Sequence, residues 1–268
     1  MANRKDYLGE VAQTALAEAA RRAGRGPVRQ LIRSALPQSQ IRYEGITLNI
    51  DPAHNYTDFH FWMKGHPKER RSLELVASLV RDKKVCLLDV GANMGLYAIW
   101  VAHLAHRNSQ VLAFEPNAAM AERLRENIML NAGARSRVEV VEAAIGDVAG
   151  TAILHIPPSN AGEASLYHTG KADILSVEVD VVPLLEYLPD AAAGWDKVIL
   201  KADIEGYEDI ALAGLLKCSS ARLPDAILLE IIHRTRWQSD IVAALCERGY
   251  REVSELEGNL LLQHGKGA

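Results

Sequence analysis

The chain has 268 residues, 49% of them hydrophobic and 24% charged, with a formal net charge of -4. That balance excludes disordered and fibrous classes and suffices for one large α/β domain with a buried sheet and an extension. The absence of a basic excess argues against a nucleic-acid partner. Three scattered cysteines without CxxC spacing argue against a disulfide framework or a structural zinc.

Residues Asp6–Arg22 carry apolar side chains at Leu8, Val11, Ala12, Ala15, Leu16 and Ala19, which predicts an amphipathic helix. Gly24, Gly26 and Pro27 break it, and Val28–Leu36 forms a second short helical segment. These helices make an N-terminal extension over residues 1–40 and suggest a homodimer. The basic cluster Arg21, Arg22, Arg25, Arg29 and Arg33 reads as a solvated helix face, with an acidic partner surface or an anionic substrate as the alternative. The alternation Ile41, Tyr43, Ile46, Leu48, Ile50 predicts a strand pair. Asp51–Pro67 is rich in aromatics and histidine but has no clean period. Pro67 opens a helix bearing Leu73, Leu75, Val76 and Leu79. Residues 41–84 thus form a segment capping the main domain, 85–268.

From Val85 the pattern changes. Strands at Val85–Val90, Val111–Phe114, Val138–Val141, Val198–Ala202 and Ala226–Ile232 alternate with helices at Leu96–Ala105, Ala118–Asn131, Tyr207–Leu216 and Asp240–Arg248. Alternation of this kind means parallel βαβ units with right-handed crossovers. Thr151–Ile156 and Ile174–Val182 are expected as added antiparallel strands flanking a polar loop, Pro157–Gly170. Tyr250–Val253 and Asn259–Gln263 close the chain as a strand pair around Glu257–Gly258. No apolar run reaches the roughly 18 residues of a membrane helix, and no apolar signal core follows the start. No membrane partner is expected, and the cytoplasm is the expected location.

Chemistry concentrates at Asp89-Val90-Gly91-Ala92-Asn93-Met94-Gly95. A buried strand ends, a glycine-rich turn follows, and a helix starts. Gly91 permits positive φ and close approach of a ligand, Gly95 close approach of helix and strand. Free N–H groups are expected to face a crevice at the strand ends. Glu115, ending the next strand, suits the two hydroxyls of a ribose. It lies 26 residues beyond Asp89, against about 20 in dinucleotide folds. The turn lacks the third glycine of a pyrophosphate cradle, and Asp89 suits an ammonium-bearing ligand. Both observations favour a methionine-derived nucleoside over NAD.

The motifs Asp89–Gly95, Phe114-Glu115-Pro116-Asn117, Asn127-Ile128-x-Leu130-Asn131, Lys201-Ala202-Asp203-Ile204-Glu205-Gly206-Tyr207-Glu208 and Leu228-Leu229-Glu230-Ile231 stand in the order of FkbM-type methyltransferases, which this chain resembles over roughly residues 65–263. The resemblance implies a Rossmann-like class I sheet, seven-stranded and mostly parallel with an antiparallel final strand. It implies S-adenosyl-L-methionine as cofactor and O-methylation of a small metabolite, sugar or natural product. By the same resemblance Gly91, Ala92, Asn93 and Gly95 hold the methionine end, Glu115 the ribose, Pro116 and Asn117 the adenine vicinity, and Ala143 and Ala144 the adenine faces. Asp203 and Glu205 would sit over the methyl group. The chain departs from the family at Ala202, where Val or Ile is usual, at Gly65-His66-Pro67-Lys68-Glu69, which replaces a glycine followed by an aromatic-Glu pair, and at Pro183, near a usual Asp.

A hydroxyl acceptor must lose its proton, and Asp203, Glu205 and His233 are the candidate bases. His233 follows a core strand and titrates near working pH. Trp62, His66 and Ser165 are candidate substrate contacts, although Trp62 with Phe59 and Phe61 suits a cover over the sheet as well. Asp203 and Glu205 with a nearby histidine would also suit Mg²⁺; no residue is assigned to a metal. N-methylation, a nicotinamide-dependent oxidoreductase and a non-catalytic interaction protein are the competing readings.

Overall fold

The computed structural model describes residues 14–24, 26–158, 160–167, 174–189 and 194–265. Residues 6–13 of the first predicted helix, Arg25 and part of the polar loop lie outside the described residues. Residues 14–22 are helical, and α1 (Pro27–Ser34) follows the glycine break with proline in its first turn. The basic cluster is not a uniform solvated face. Arg33 donates to the carbonyls of Pro52 and Ala53 at 3.1 and 3.0 Å, and Arg21 to that of Met63 at 3.2 Å. Leu16, Val28 and Leu31 remain exposed.

The hairpin β1 (Ser39–Tyr43) and β2 (Ile46–Ile50) forms as the alternation predicts, with Ile46, Leu48 and Ile50 turned inward. Next comes α2 (Tyr56–Lys64), a helix that periodicity missed because its polar Asp58 is buried. Asn55 caps it by accepting from the N–H groups of Thr57 and Asp58, and Gly65 ends it at φ 74°. Asp58 accepts from the Asp51 N–H at 2.7 Å and from Arg123 at 2.9 Å. That pairing is what a buried carboxylate requires. Helix α3 (Arg70–Val80) starts three residues after Pro67 rather than at it.

The central sheet contains β3 (Val85–Val90), β4 (Gln110–Phe114), β5 (Val138–Val141), β9 (Lys197–Ala202), β10 (Ala226–Glu230), β11 (Tyr250–Leu256) and β12 (Asn259–His264). Its order is β11-β12-β10-β9-β3-β4-β5, with β12 antiparallel to both neighbours and the other core pairs parallel. This is the Rossmann-like class I methyltransferase sheet, with the reversal in strand order falling between β3 and β9. β3 is buried throughout, so its side chains alternate between two cores. Val85 and Leu87 join a cluster under α3, α4 (Leu96–Leu104) and the hairpin, whereas Cys86, Leu88 and Val90 join one under α6 (Glu208–Leu212) and α7 (Ile241–Glu247). The capping segment 41–84 therefore shares its core with the sheet.

Helix α5 (Ala118–Leu130) fastens the hairpin through side chains rather than strands. Asn131 and Asn127 accept from the N–H groups of Thr47 and Asn49 at 2.9 and 2.6 Å, and Asn127 also donates to the Met94 carbonyl at 2.9 Å. A separate three-stranded sheet holds β6 (Ala144–Gly146), β7 (Gly150–Ile156) and β8 (Leu175–Pro183), with β7 and β8 antiparallel as expected and β6, unforeseen, parallel to β8. The predicted helix Tyr207–Leu216 is split into α6 and a 3-10 turn, Ala213–Leu216. No described helix is long and apolar enough to cross a membrane.

Candidate active site

A cleft opens at the carboxyl ends of β3, β4, β9 and β10, beside the strand-order reversal. Ligands of open α/β sheets bind there because the loops diverge. Its floor is the Gly91–Gly95 turn. Gly91 has φ 77°, and a Cβ there would fall 1.9 Å from the Asp203 carbonyl oxygen. Only glycine lets this turn rest on the strand β9 exit. Gly95 serves packing instead: its Cβ would meet Leu124 at 2.2 Å, and it does not line the cleft.

The turn corrects one expectation. Its N–H groups do not face the cleft unengaged. Those of Gly91 and Ala92 donate to the Phe114 carbonyl, Asn93 to Glu115, Met94 to the Asn93 side chain and Gly95 to the Ala92 carbonyl. Recognition here falls to side chains and carbonyls, with Asn93, at φ 51°, projecting beside Gly162 of the roof.

Glu115 is 6% exposed, with one oxygen accepting from Asn93 N–H at 2.8 Å and the other from Asn117 N–H at 2.9 Å. Burial pushes its carboxyl up to about 7, against the pull of those two donors. Each oxygen keeps further acceptor capacity for a hydroxyl. Pro116, Ala143, Ala144 and Ile145 supply small apolar walls next to it. A carboxylate beside small apolar walls fits a nucleoside, and Gly91 lines the same cleft. Asn117 does not line this wall; it is buried and caps α5 by accepting from the Ala119 N–H.

Beneath the floor lies a charged layer. Asp89 is fully buried and lines no part of the cleft. It pairs in register with Lys201, whose Nζ is 3.4 Å from Asp89 and 3.7 Å from Asp203 and donates to the Gly91 carbonyl at 2.7 Å. Burial opposes the ammonium charge, but Asp89, Asp203 and Glu69 outweigh it and hold the lysine protonated. Lys201 thus pins the turn to β9. Sequence reasoning quoted it without a role, though a lysine inside the apolar run Val198–Ala202 was a legible signal. Glu69, in the departing segment, also reaches the cleft and accepts from the Tyr97 hydroxyl at 3.2 Å.

At the far end Glu205 stands at φ 59°, a conformation a non-glycine residue adopts at a cost of about 1–3 kcal/mol. Three contacts hold it. Ser165 and Arg236 donate to its carbonyl at 3.1 and 2.8 Å, and Glu208 accepts from the flanking Ile204 and Gly206 N–H groups. The side chain lies 2.9 Å from His233 Nε2. Burial, then the charges of Asp203, Glu163 and Glu208, push the Glu205 carboxyl up to about 8. Glu230, ending β10, completes the corner: one ligand atom each from Glu205, Glu230 and His233 lie within 4.8 Å of one another. Glu230 had no assigned role, although a carboxylate ending a buried apolar strand is unusual.

The roof runs over residues 160–166. Asn160 accepts from the Tyr56 N–H at 2.9 Å, and Ala161 N–H donates to the His54 carbonyl at 3.1 Å, so the roof joins α2 to the Glu205 turn. Ser165 lies in it, buried. Trp62 and His66 stand elsewhere. Trp62 stacks on Phe59 with centroids 6.2 Å apart and packs against the cluster of Ala20, Leu36 and Met63, as the cover reading expects. His66 meets the Pro67 carbonyl and the His60 ring. Neither lines the cleft: α2 turns only Tyr56 and Thr57 toward it, and His66, beyond the Gly65 cap, precedes the return of the chain to the cleft at Pro67.

Among solved structures, the Methylobacillus flagellatus KT methyltransferase FkbM is 19% identical, covering 78% of this chain and 53% of that one, with a TM-score of 0.47. The chain thus spans about half the length of that protein. Precorrin-6y C5,15-methyltransferase from Geobacter metallireducens GS-15 is 16% identical, with coverages of 72% and 87% and a TM-score of 0.41. M. jannaschii TYW2, solved in complex with AdoMet, is 16% identical, with coverages of 84% and 83% and a TM-score of 0.40. A search of curated proteins finds no similar sequence. The family model described as the methyltransferase FkbM domain matches residues 89–252, more than half of the chain and every element that builds the cleft floor. By that match this chain belongs to the FkbM methyltransferase domain family.

Proposed function

We propose that the protein transfers a methyl group from S-adenosylmethionine to a hydroxyl of a small metabolite, sugar or natural product. The observation that carries the reading is one cleft with two unlike ends. Glu115 and its small apolar walls suit a nucleoside, and Glu205, which lines the cleft and is backed by His233 at 2.9 Å, suits a hydroxyl that must lose a proton. The cofactor supplies a methyl group on positively charged sulfur. Glu115, fixed by two N–H donors, would accept from the ribose hydroxyls. Asn93 and Asp203 would hold the methionine end, and Ala143 and Ala144 the base. Glu205, which lines the cleft with His233 against it, takes the hydroxyl proton, while the roof bearing Ser165 limits water. Alignment and water exclusion account for much of what a displacement at carbon demands.

Calorimetric titration with S-adenosylmethionine and S-adenosylhomocysteine tests the cofactor, followed by methyl transfer to matched hydroxyl and amine acceptors. Binding of both ligands and methylation of hydroxyls alone is expected. Methylation of amines alone would replace the reading with N-methylation. Binding of NAD and neither methionine nucleoside would overturn it.

A further inference from the structure

Proton abstraction from an acceptor does not use Glu230. This carboxyl is 8% exposed, and its Oε2 accepts no hydrogen bond among the described residues. A buried carboxylate without a donor is costly, and Glu205 stands beside it in the same corner, its ligand atom within 4.8 Å. The nearby cations are engaged elsewhere. Lys201 holds the Gly91 carbonyl and the Asp89–Asp203 pair, and Arg236 donates to a main-chain oxygen. The corner therefore gathers two carboxyls on the cleft wall and one imidazole behind them around a single point.

We propose that Glu205, Glu230 and His233 hold a divalent cation at the acceptor end of the cleft. Adjacent ligand atoms about 2.1 Å from a metal sit about 3 Å apart. The Glu205–His233 pair already has that spacing at 2.9 Å, and all three ligand atoms fall within 4.8 Å, so small side-chain rotations close the set. Two carboxylates and one imidazole suit Mn²⁺ or Zn²⁺ better than Ca²⁺, which prefers six to eight oxygens. Glu205's left-handed backbone, held by Ser165, Arg236 and Glu208, aims its carboxyl at this point. The inference rests on the acceptor-end reading above in one respect: a cation here meets the acceptor oxygen directly. With it bound, Glu205 and His233 would serve as ligands in place of the base role, and the cation would supply the acidity by which the acceptor O–H gives its proton to water.

The test is a Mn²⁺ titration of the full chain without cofactor, followed by the electron paramagnetic resonance of free Mn²⁺, with Zn²⁺ and Mg²⁺ as competitors. One bound equivalent is expected, weakened at least about tenfold in Glu230→Gln and in His233→Ala. His66→Ala, at the separate His60–His66 ring pair, should leave it unchanged. No bound equivalent in the wild type, or equal binding in both corner variants, overturns the proposal. Circular dichroism checks folding, and if Glu230→Gln fails to fold, His233→Ala decides, its side chain being 28% exposed. Calorimetry with S-adenosylmethionine separates the two ideas: cofactor binding without Mn²⁺ binding defeats this inference alone, and the reverse defeats the methyl-transfer reading alone.

Discussion

Glu115 and Glu230 are the same residue type, each ends a parallel strand of one sheet, and they are 6% and 8% exposed. Their surroundings differ completely. Glu115 has a backbone N–H on each oxygen, supplied by the glycine turn and by the start of α5. Glu230 has one oxygen without any donor among the described residues, and the Glu205 carboxyl stands beside it. The first is a finished acceptor, rigid before anything binds; the second is finished only when a positive group arrives. One sheet thus places a selective grip and a charge-hungry corner at opposite ends of a cleft, and what differs is the donors the loops provide.

The comparison breaks most completely at Gly91. Alanine there would strike the Asp203 carbonyl and force a strained φ, costing about 2–4 kcal/mol in denaturant unfolding. S-adenosylmethionine binding should vanish in calorimetry; wild-type affinity would show that the turn does not cradle the ligand. Glu115→Ala removes two hydroxyl contacts to a charged acceptor, each worth roughly 1.5 kcal/mol or more. Affinity for S-adenosylmethionine should fall about 100-fold, with the melting profile as the check on folding. A loss under threefold would move the ribose elsewhere.

A smaller effect sharpens the same contrast. Glu115 is pushed up from 4.5 to about 7 in the fold. The ligand-free fold therefore favours the protonated group: its contribution to stability is complete below about 4.5 and is lost as pH rises through about 7. Ribose hydroxyls need the ionised form, so cofactor affinity should rise about tenfold from pH 6 to 8 and level off above. Calorimetry across that range, with Glu115→Gln as the flat reference, reads it out, and a flat wild-type profile would rule out titration at this carboxyl. The smallest effect belongs to His66→Ala, which lies off the cleft. Cofactor affinity should stay within about twofold and stability within about 0.5 kcal/mol; a larger loss of affinity would bring His66 back into the site.

The sequence by itself determined the sheet and its floor. Buried strands such as Val85–Val90 and turns such as Gly91–Gly95 are written in local period and in residues that tolerate positive φ, so they survive without knowledge of neighbours. Carboxylates ending strands were readable for the same reason, because strand ends converge at one edge. Tertiary structure alone decided the rest. Helix α2 was hidden because Arg123, 65 positions from Asp58 in sequence, makes a polar residue tolerable inside. The N–H groups of the glycine turn were engaged by Phe114 and Glu115 across strands. Trp62 was turned from the cleft by the direction of α2, and His66, past that helix, by its contacts with the Pro67 carbonyl and the His60 ring. The corner of Glu205, Glu230 and His233 joins the ends of two strands with a loop, and no spacing along the chain records that meeting. Local conformation follows from neighbouring residues, whereas donors, counter-charges and the facing of a side chain come from whatever the fold brings across the gap.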